Sequence, residues 1–96
     1  GGSDAPVVPL DPRLGLAAAV TRRSAGGAVL APEERLDAAS ALDLFTTAAA
    51  RLRGEALAPG PTPGAPADLL IAERSSSDGF AALRTRATLR AGRCIA

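Results

Sequence analysis

The chain has no histidine, lysine, tryptophan, tyrosine or methionine, and it has one cysteine and two phenylalanines. Each absence excludes something. Without histidine, the commonest general base and the commonest metal ligand are missing, and without lysine there is no Schiff-base nucleophile. Cys94 cannot form an intramolecular disulfide, a usage compatible with a reducing compartment, and it has no histidine to activate it. No group of cysteine and carboxylate shows metal-ligand spacing. A complete catalytic site is therefore not expected within these 96 residues. No apolar run reaches the roughly 18 residues of a membrane span, and no basic stretch followed by an apolar one marks a secretion signal. A soluble, cytoplasmic chain is the default expectation. The net charge is +1, and the basic residues are all arginine, spread over both halves without aromatic neighbours. That leaves no electrostatic footprint for nucleic acid or a membrane.

The scarcity of large side chains also bounds stability. A chain of this length buries about 60–65% of its unfolded surface. Alanine supplies much of the 47% hydrophobic fraction, and apolar burial stabilises by only roughly 25 cal/mol per Å². Low stability in isolation is expected. The first residue is Gly1 rather than methionine, which is read as the mark of a fragment or a processed subunit.

What is present reads as α+β: two helices, a short strand and a C-terminal β-hairpin. Asp11 followed by Pro12 predicts a helix start, with the carboxylate capping free amides and proline at the first helical position. This helix is expected to reach about Arg23, with Leu14, Ala17, Ala18 and Thr21 on one face and Leu16 and Val20 on the next. Arg22 and Arg23 would then lie in its last turn, where cations favour the helix dipole; a solvated helix end is the first reading of the pair, and phosphate or carboxylate binding the second. Residues 24–32 form a loop around Gly26 and Gly27, either a lid or a plain connection. Glu33, Glu34 and Arg35 read as a solvated turn, because adjacent carboxylates do not share a helix face. A second helix is predicted over 37–53, capped by Asp37 and stopped by Gly54, with Leu42, Phe45, Thr46, Ala49 and Leu52 in one stripe. Its alanine-rich surface suits close packing against another element.

Four prolines and two glycines exclude regular structure over 57–66. Asp68 to Ala72 predicts a short buried strand, and 75–79 is a polar break. Residues 85–96 predict a hairpin turning at Ala91 and Gly92, with Cys94 as a small strand residue. Three parts follow: 1–54 with both helices, a proline- and glycine-rich linker over 55–66, and strands over 67–96.

The opening stretch Gly1-Gly2-Ser3-Asp4-Ala5-Pro6 presents one carboxylate in a tight turn. The bland reading is an Asx turn, in which the side chain bonds its own backbone.

The order GGSDAPVVPLDPRLGLAAAVTRR (1–23), APEERLDAASALDLFTTAAARLRG (31–54), PGAPADLLIAE (63–73) and TRATLRAGRCIA (85–96) resembles the C-terminal end of the amidohydrolase superfamily. The branch it resembles is the amidohydrolase-3 group that includes N-substituted formamide deformylase-like enzymes. The first and third stretches are the more specific. The resemblance implies a metal-dependent hydrolase of carbon–nitrogen bonds other than peptide bonds, built as a (β/α)₈ barrel with a small β-sandwich formed from both chain ends. In such enzymes the Asp of the G-S-D motif lies at the C-terminal end of barrel strand eight, where barrel enzymes carry their chemistry, and it maps onto Asp4. Its implied role is that of a metal-site residue: beside a divalent metal, zinc being the expected ion, it helps hold the metal-bound water, takes a proton from it and passes that proton to the leaving group. The helices would pack on the barrel, the strand and hairpin would join the sandwich, and Asp68 would be a structural turn or edge residue. The proline-glycine turn before the strand is longer than is usual in the family.

The histidine ligands of the family have no counterpart here. The implied partner is therefore an upstream barrel portion of the same enzyme or a complementary subunit, with a small-molecule substrate whose class (amide, formamide or cyclic imide) stays open. The rival expectation is a small non-catalytic α+β interaction module, whose alanine-rich helix faces meet a partner or another copy.

Overall fold

A computed structural model describes residues 1–55, 60–73 and 79–96. The chain is α+β, as the sequence predicts. Helix α1 spans Pro12–Thr21, α2 spans Ala38–Phe45 and α3 spans Thr47–Leu52. Strands β1 (Leu69–Glu73), β2 (Arg84–Arg90) and β3 (Arg93–Cys94) form an antiparallel sheet in sequence order. Short 3₁₀ turns occupy Pro32–Glu34 and Gly79–Ala82. Among the described residues no helix is long and apolar enough to cross a membrane.

Both predicted helix starts are present. Asp11 Oδ1 accepts from the Arg13 amide at 3.0 Å, with Pro12 at the first helical position. Asp37 Oδ1 accepts from the Ala39 and Ser40 amides at 2.9 and 3.0 Å, and the Ser40 hydroxyl donates to Oδ2 at 2.7 Å. These bonds satisfy amides that a helix leaves without internal partners.

The helix ends differ from expectation. α1 stops at Thr21 and not near Arg23, so neither arginine lies in its last turn. Arg22 takes a left-handed conformation, φ 55°, and its amide closes on Ala18 O at 2.7 Å. Thr21 Oγ1 donates to Ala17 O at 2.8 Å and accepts from the Arg23 amide at 3.3 Å, which turns the chain out of the helix. Arg23 then bridges Val29 across a small hairpin-like loop, so the 24–32 connection is pinned back on itself.

The predicted second helix is two helices. At Thr46, φ −123° and ψ −95°, the backbone leaves helical geometry. The Thr46 hydroxyl bonds back to Leu42 O at 2.8 Å, a competition for the carbonyl that bends helices. The break shifts the phase of the apolar stripe. Ala41 and Ala50 are buried, whereas Leu42 is 42% and Leu52 90% exposed. Gly54 does end the helical segment: its amide bonds Arg51 O and that of Glu55 bonds Ala50 O, with φ 75° at Gly54, a Schellman closure that favours glycine.

The hydrophobic core joins Leu16 of α1, Ala41 of α2 and Phe80 of the second 3₁₀ turn, with Ala17, Ala19, Val20, Leu36, Ala38 and Phe45 around them. The face of α1 led by Leu16 and Val20 is therefore the core side, while Leu14 is 51% exposed. Phe80 had no periodic signal around it. The sequence reading of 75–79 falls largely on residues outside those described, as does that of 57–59 in the linker.

The strand expected to be buried is exposed along its whole length. Among the described residues β1 pairs only with β2, and no helix packs extensively on it. Leu69 lies opposite Leu89 and Ile71 opposite Ala87; Arg86 is the extra residue of a β-bulge before Ala72 meets Thr85. The predicted hairpin is present, with Leu89 opposite Cys94 and Arg90 opposite Arg93. Ala91 and Gly92 both have positive φ, 49° and 77°, as a two-residue hairpin turn of this hand requires. Asp68 Oδ1 accepts from the Ala91 amide at 2.7 Å, and Ala67 O from that of Gly92 at 2.9 Å. Asp68 is thus the structural turn residue expected of it.

Phe80→Ala should cost about 3–5 kcal/mol, the range for a buried phenylalanine, whereas Leu52→Ala should stay within about 0.5 kcal/mol; urea unfolding of the two variants checks the contrast. The Asp37 carboxyl is held below its usual range, first by the hydrogen bond from the Ser40 amide and then by that from its hydroxyl. A depressed folded-state value means that the cap stabilises above the unfolded carboxyl pKa and is lost as pH falls through the lower, folded one. Amide shifts of Ala39 and Ser40 followed from about pH 5 to pH 2 should report this loss, and Asp37→Asn should remove the pH dependence while retaining a cap.

Candidate functional site

The turn that carries Asp4 is fastened at both ends. The Gly1 nitrogen donates to Leu44 O of α2 at 2.8 Å, and the Val7 amide to Asp4 O at 3.0 Å, around a cis Ala5–Pro6 peptide. Asp4 has φ 52°, a left-handed conformation that aspartate tolerates better than most residues. The local side-chain bond comes from its neighbour: Ser3 Oγ accepts from the Ala5 amide at 3.3 Å. The carboxylate of Asp4 has no hydrogen bond or ion pair among the described residues, and the residue is exposed. The Asx-turn reading therefore does not hold, and the carboxylate is left free.

Phe45 lies under this turn. A Cβ placed on Gly1 would come within 2.8 Å of the Phe45 ring, and one on Gly15 within 2.9 Å. The ring is wedged between the start of the chain and α1, so both glycines mark close approach and not spare flexibility. Phe45, Gly15 and Leu14 line a shallow pocket of about 70 Å³ together with Gly2, Ser3 and Asp11. The contact was hidden in the sequence, where Gly15 reads only as a weak helix residue.

Asp11, at the pocket edge, is committed elsewhere. Arg13 Nε and Nη2 reach its two oxygens at 2.9 and 2.7 Å, which pulls its carboxyl below the usual range and raises the guanidinium. Arg13 Nη1 also donates to Leu83 O at 3.3 Å, tying α1 to the segment before β2. The Asp-x-Arg spacing was the available signal for this pair. Glu33 and Glu34 sit exposed on a 3₁₀ turn, as a solvated turn should. Cys94 is exposed at the end of β3, its Sγ 3.5 Å from Ala96 O.

Among the described residues no group of three or more histidine, cysteine, aspartate or glutamate side chains could hold a metal ion. The donors of the described residues do not fit a divalent cation, because no group of them supplies the three or four protein ligands of a zinc site.

The model of the amidohydrolase family matches residues 1–96, the whole of the chain. The chain belongs to the amidohydrolase family. Comparison with curated proteins and with solved structures returned no match.

Gly15→Val should drive the Phe45 ring from its place. Overpacking costs of about 1–3 kcal/mol outweigh the roughly 0.5 kcal/mol that leaving glycine gains in a helix, so net destabilisation with shifted Phe45 ring resonances is expected by NMR and denaturant unfolding. Gly26→Val, with no close neighbour, is the control.

Proposed function

We propose that this chain supplies Asp4 as the proton-transfer group of a hydrolase acting on carbon–nitrogen bonds other than peptide bonds, in the branch of N-substituted formamide deformylase-like enzymes. The observation that carries the reading is the free, backbone-anchored carboxylate of Asp4 in a chain whose full length matches the amidohydrolase family. Asp4 takes a proton from the attacking water and returns it to the leaving nitrogen, so one group serves first as base and then as acid. The residues that hold a divalent metal, zinc by expectation, belong to another portion of the enzyme.

The arrangement proposed is the end of a (β/α)₈ barrel, with Asp4 at the mouth of the last strand and β1–β3 contributing to an accompanying sandwich. The partner is the remaining barrel portion, in the same polypeptide or as a complementary subunit. Exposed apolar side chains support a partner: Leu10 is 81%, Val7 78% and Ile95 62% exposed, in addition to Leu52. The substrate is a small molecule, and the amide, formamide and cyclic imide classes all suit the proposed chemistry.

Asp4→Asn in the protein reassembled with its complementary portion should lower kcat by about 10²–10⁴, the usual weight of general acid–base catalysis. Asparagine tolerates the same left-handed backbone, so the circular dichroism and the unfolding midpoint should be unchanged. Wild-type turnover in the variant would remove Asp4 from the mechanism.

A further inference from the structure

We propose that Arg22 and Arg23, where the chain leaves α1, form a binding site for a phosphate group. Arg22, Arg23, Ser24, Ala18 and Leu30 line an open pocket of about 240 Å³. Nothing in the proton-transfer chemistry assigned to Asp4 uses it.

The ordinary explanation for arginines at this position is that they cap helix carbonyls or complement the dipole. Here neither arginine side chain bonds a helix carbonyl; Ala18 O is taken by the Arg22 amide and Ala19 O by the Leu36 amide. The two guanidiniums instead anchor on the following loop. Arg22 Nε donates to Leu30 O at 3.1 Å, and Arg23 Nη1 donates to Gly27 O at 3.2 Å.

Each anchor uses one edge of a planar group that carries five N–H donors. The Nη1–Nη2 end of Arg22 and the Nε–Nη2 edge of Arg23 have no partner among the described residues, and neither arginine has a carboxylate within ion-pairing distance there. Ser24 Oγ makes no hydrogen bond among them either, so a hydroxyl completes the set. Glu33 and Glu34, a few residues on, form no ion pair with the arginines.

Two held guanidinium forks and a hydroxyl offer more donors than the two oxygens of a carboxylate engage, and they match the oxygens of a phosphate. Anchoring also reduces the side-chain freedom lost on binding. The β-bridge from Arg23 to Val29 and the Leu30 amide bond to Arg22 O at 2.8 Å fix the backbone beneath both side chains.

The test is titration of the 96-residue chain with inorganic phosphate at constant ionic strength, followed by amide and arginine Nε–H resonances. Saturable shifts confined to Arg22, Arg23, Ser24 and Leu30 are expected. Arg22→Gln is the clean variant, because its side-chain amide nitrogen occupies the place of Nε and retains the Leu30 bond while the outer fork is lost. It should raise Kd about fivefold or more, as should Arg23→Gln, with the α1 resonances unmoved. Arg90→Gln, on the hairpin beside Arg93, should leave Kd unchanged. Shifts that do not saturate, or equal weakening by Arg90→Gln, would show general charge attraction and overturn the proposal. Acetate binding as tightly as phosphate would overturn the choice of ligand. Phenyl phosphate distinguishes the source: affinity at or above that of inorganic phosphate assigns a phosphate carried on a larger molecule, and weaker binding assigns the free ion.

Discussion

Leu16, Ala41 and Phe80 come from three segments far apart in the sequence, and their mutual contact is what makes one body of the chain. α1 meets α2 through Leu16 and Ala41, and Phe80 closes the group from the turn that leads into the sheet. The choice of residues follows from size. A fully buried alanine at 41 lets two helices approach closely, and the space so narrowed is filled by one leucine and one phenylalanine. Arg13 reinforces the same junction from the surface by reaching Leu83 O. With so few large buried side chains, each carries a large share of a marginal free energy, and little else holds the helices to the strands.

The same junction positions the candidate site. Phe45, at the C-terminal end of α2 and packed against the core, passes between Gly1 and Gly15, while the Gly1 nitrogen bonds Leu44 O one residue earlier. Displacing α2 would therefore move the turn that carries Asp4. The two glycines are needed because a ring edge lies where a Cβ would be, and the site is registered to the core through backbone contact and not through any polar side chain.

Local chemistry made part of this legible in the sequence. Asp11 with Pro12, Asp37, Gly54, and Ala91 with Gly92 each specify a cap or turn through bonds made within a few residues, and all stand as read. Asp68 joins them, although its partner amide lies across the sheet. The errors share one cause: the information was not local. A continuous helical period runs through Thr46, and only its back-bond to Leu42 O reveals the break that rotates Leu52 outward and Ala50 inward. The 68–72 run looks buried because it is apolar, yet burial needs a second layer, and among the described residues β1 has a strand neighbour on one edge only. Phe80 sits beside a polar break with no period, so its burial depends wholly on where α1 lies. At Asp4 the motif was legible and the state of its carboxylate was not, since whether an aspartate bonds its own turn depends on what Ser3 does.

That division between Ser3 and Asp4 separates folding from chemistry at this turn. The amide of Ala5 is taken by the Ser3 hydroxyl and the Asp4 carbonyl by the Val7 amide, so the turn closes without the Asp4 side chain. A carboxylate that a turn needs is already occupied and is a poor proton acceptor for anything else; one that the turn does not need keeps all its lone pairs available. Being exposed, Asp4 also incurs no burial cost. Its left-handed backbone fixes where the side chain departs, and Phe45 fixes the backbone. The residue is thus placed by the fold and unused by it, as the role proposed for it requires.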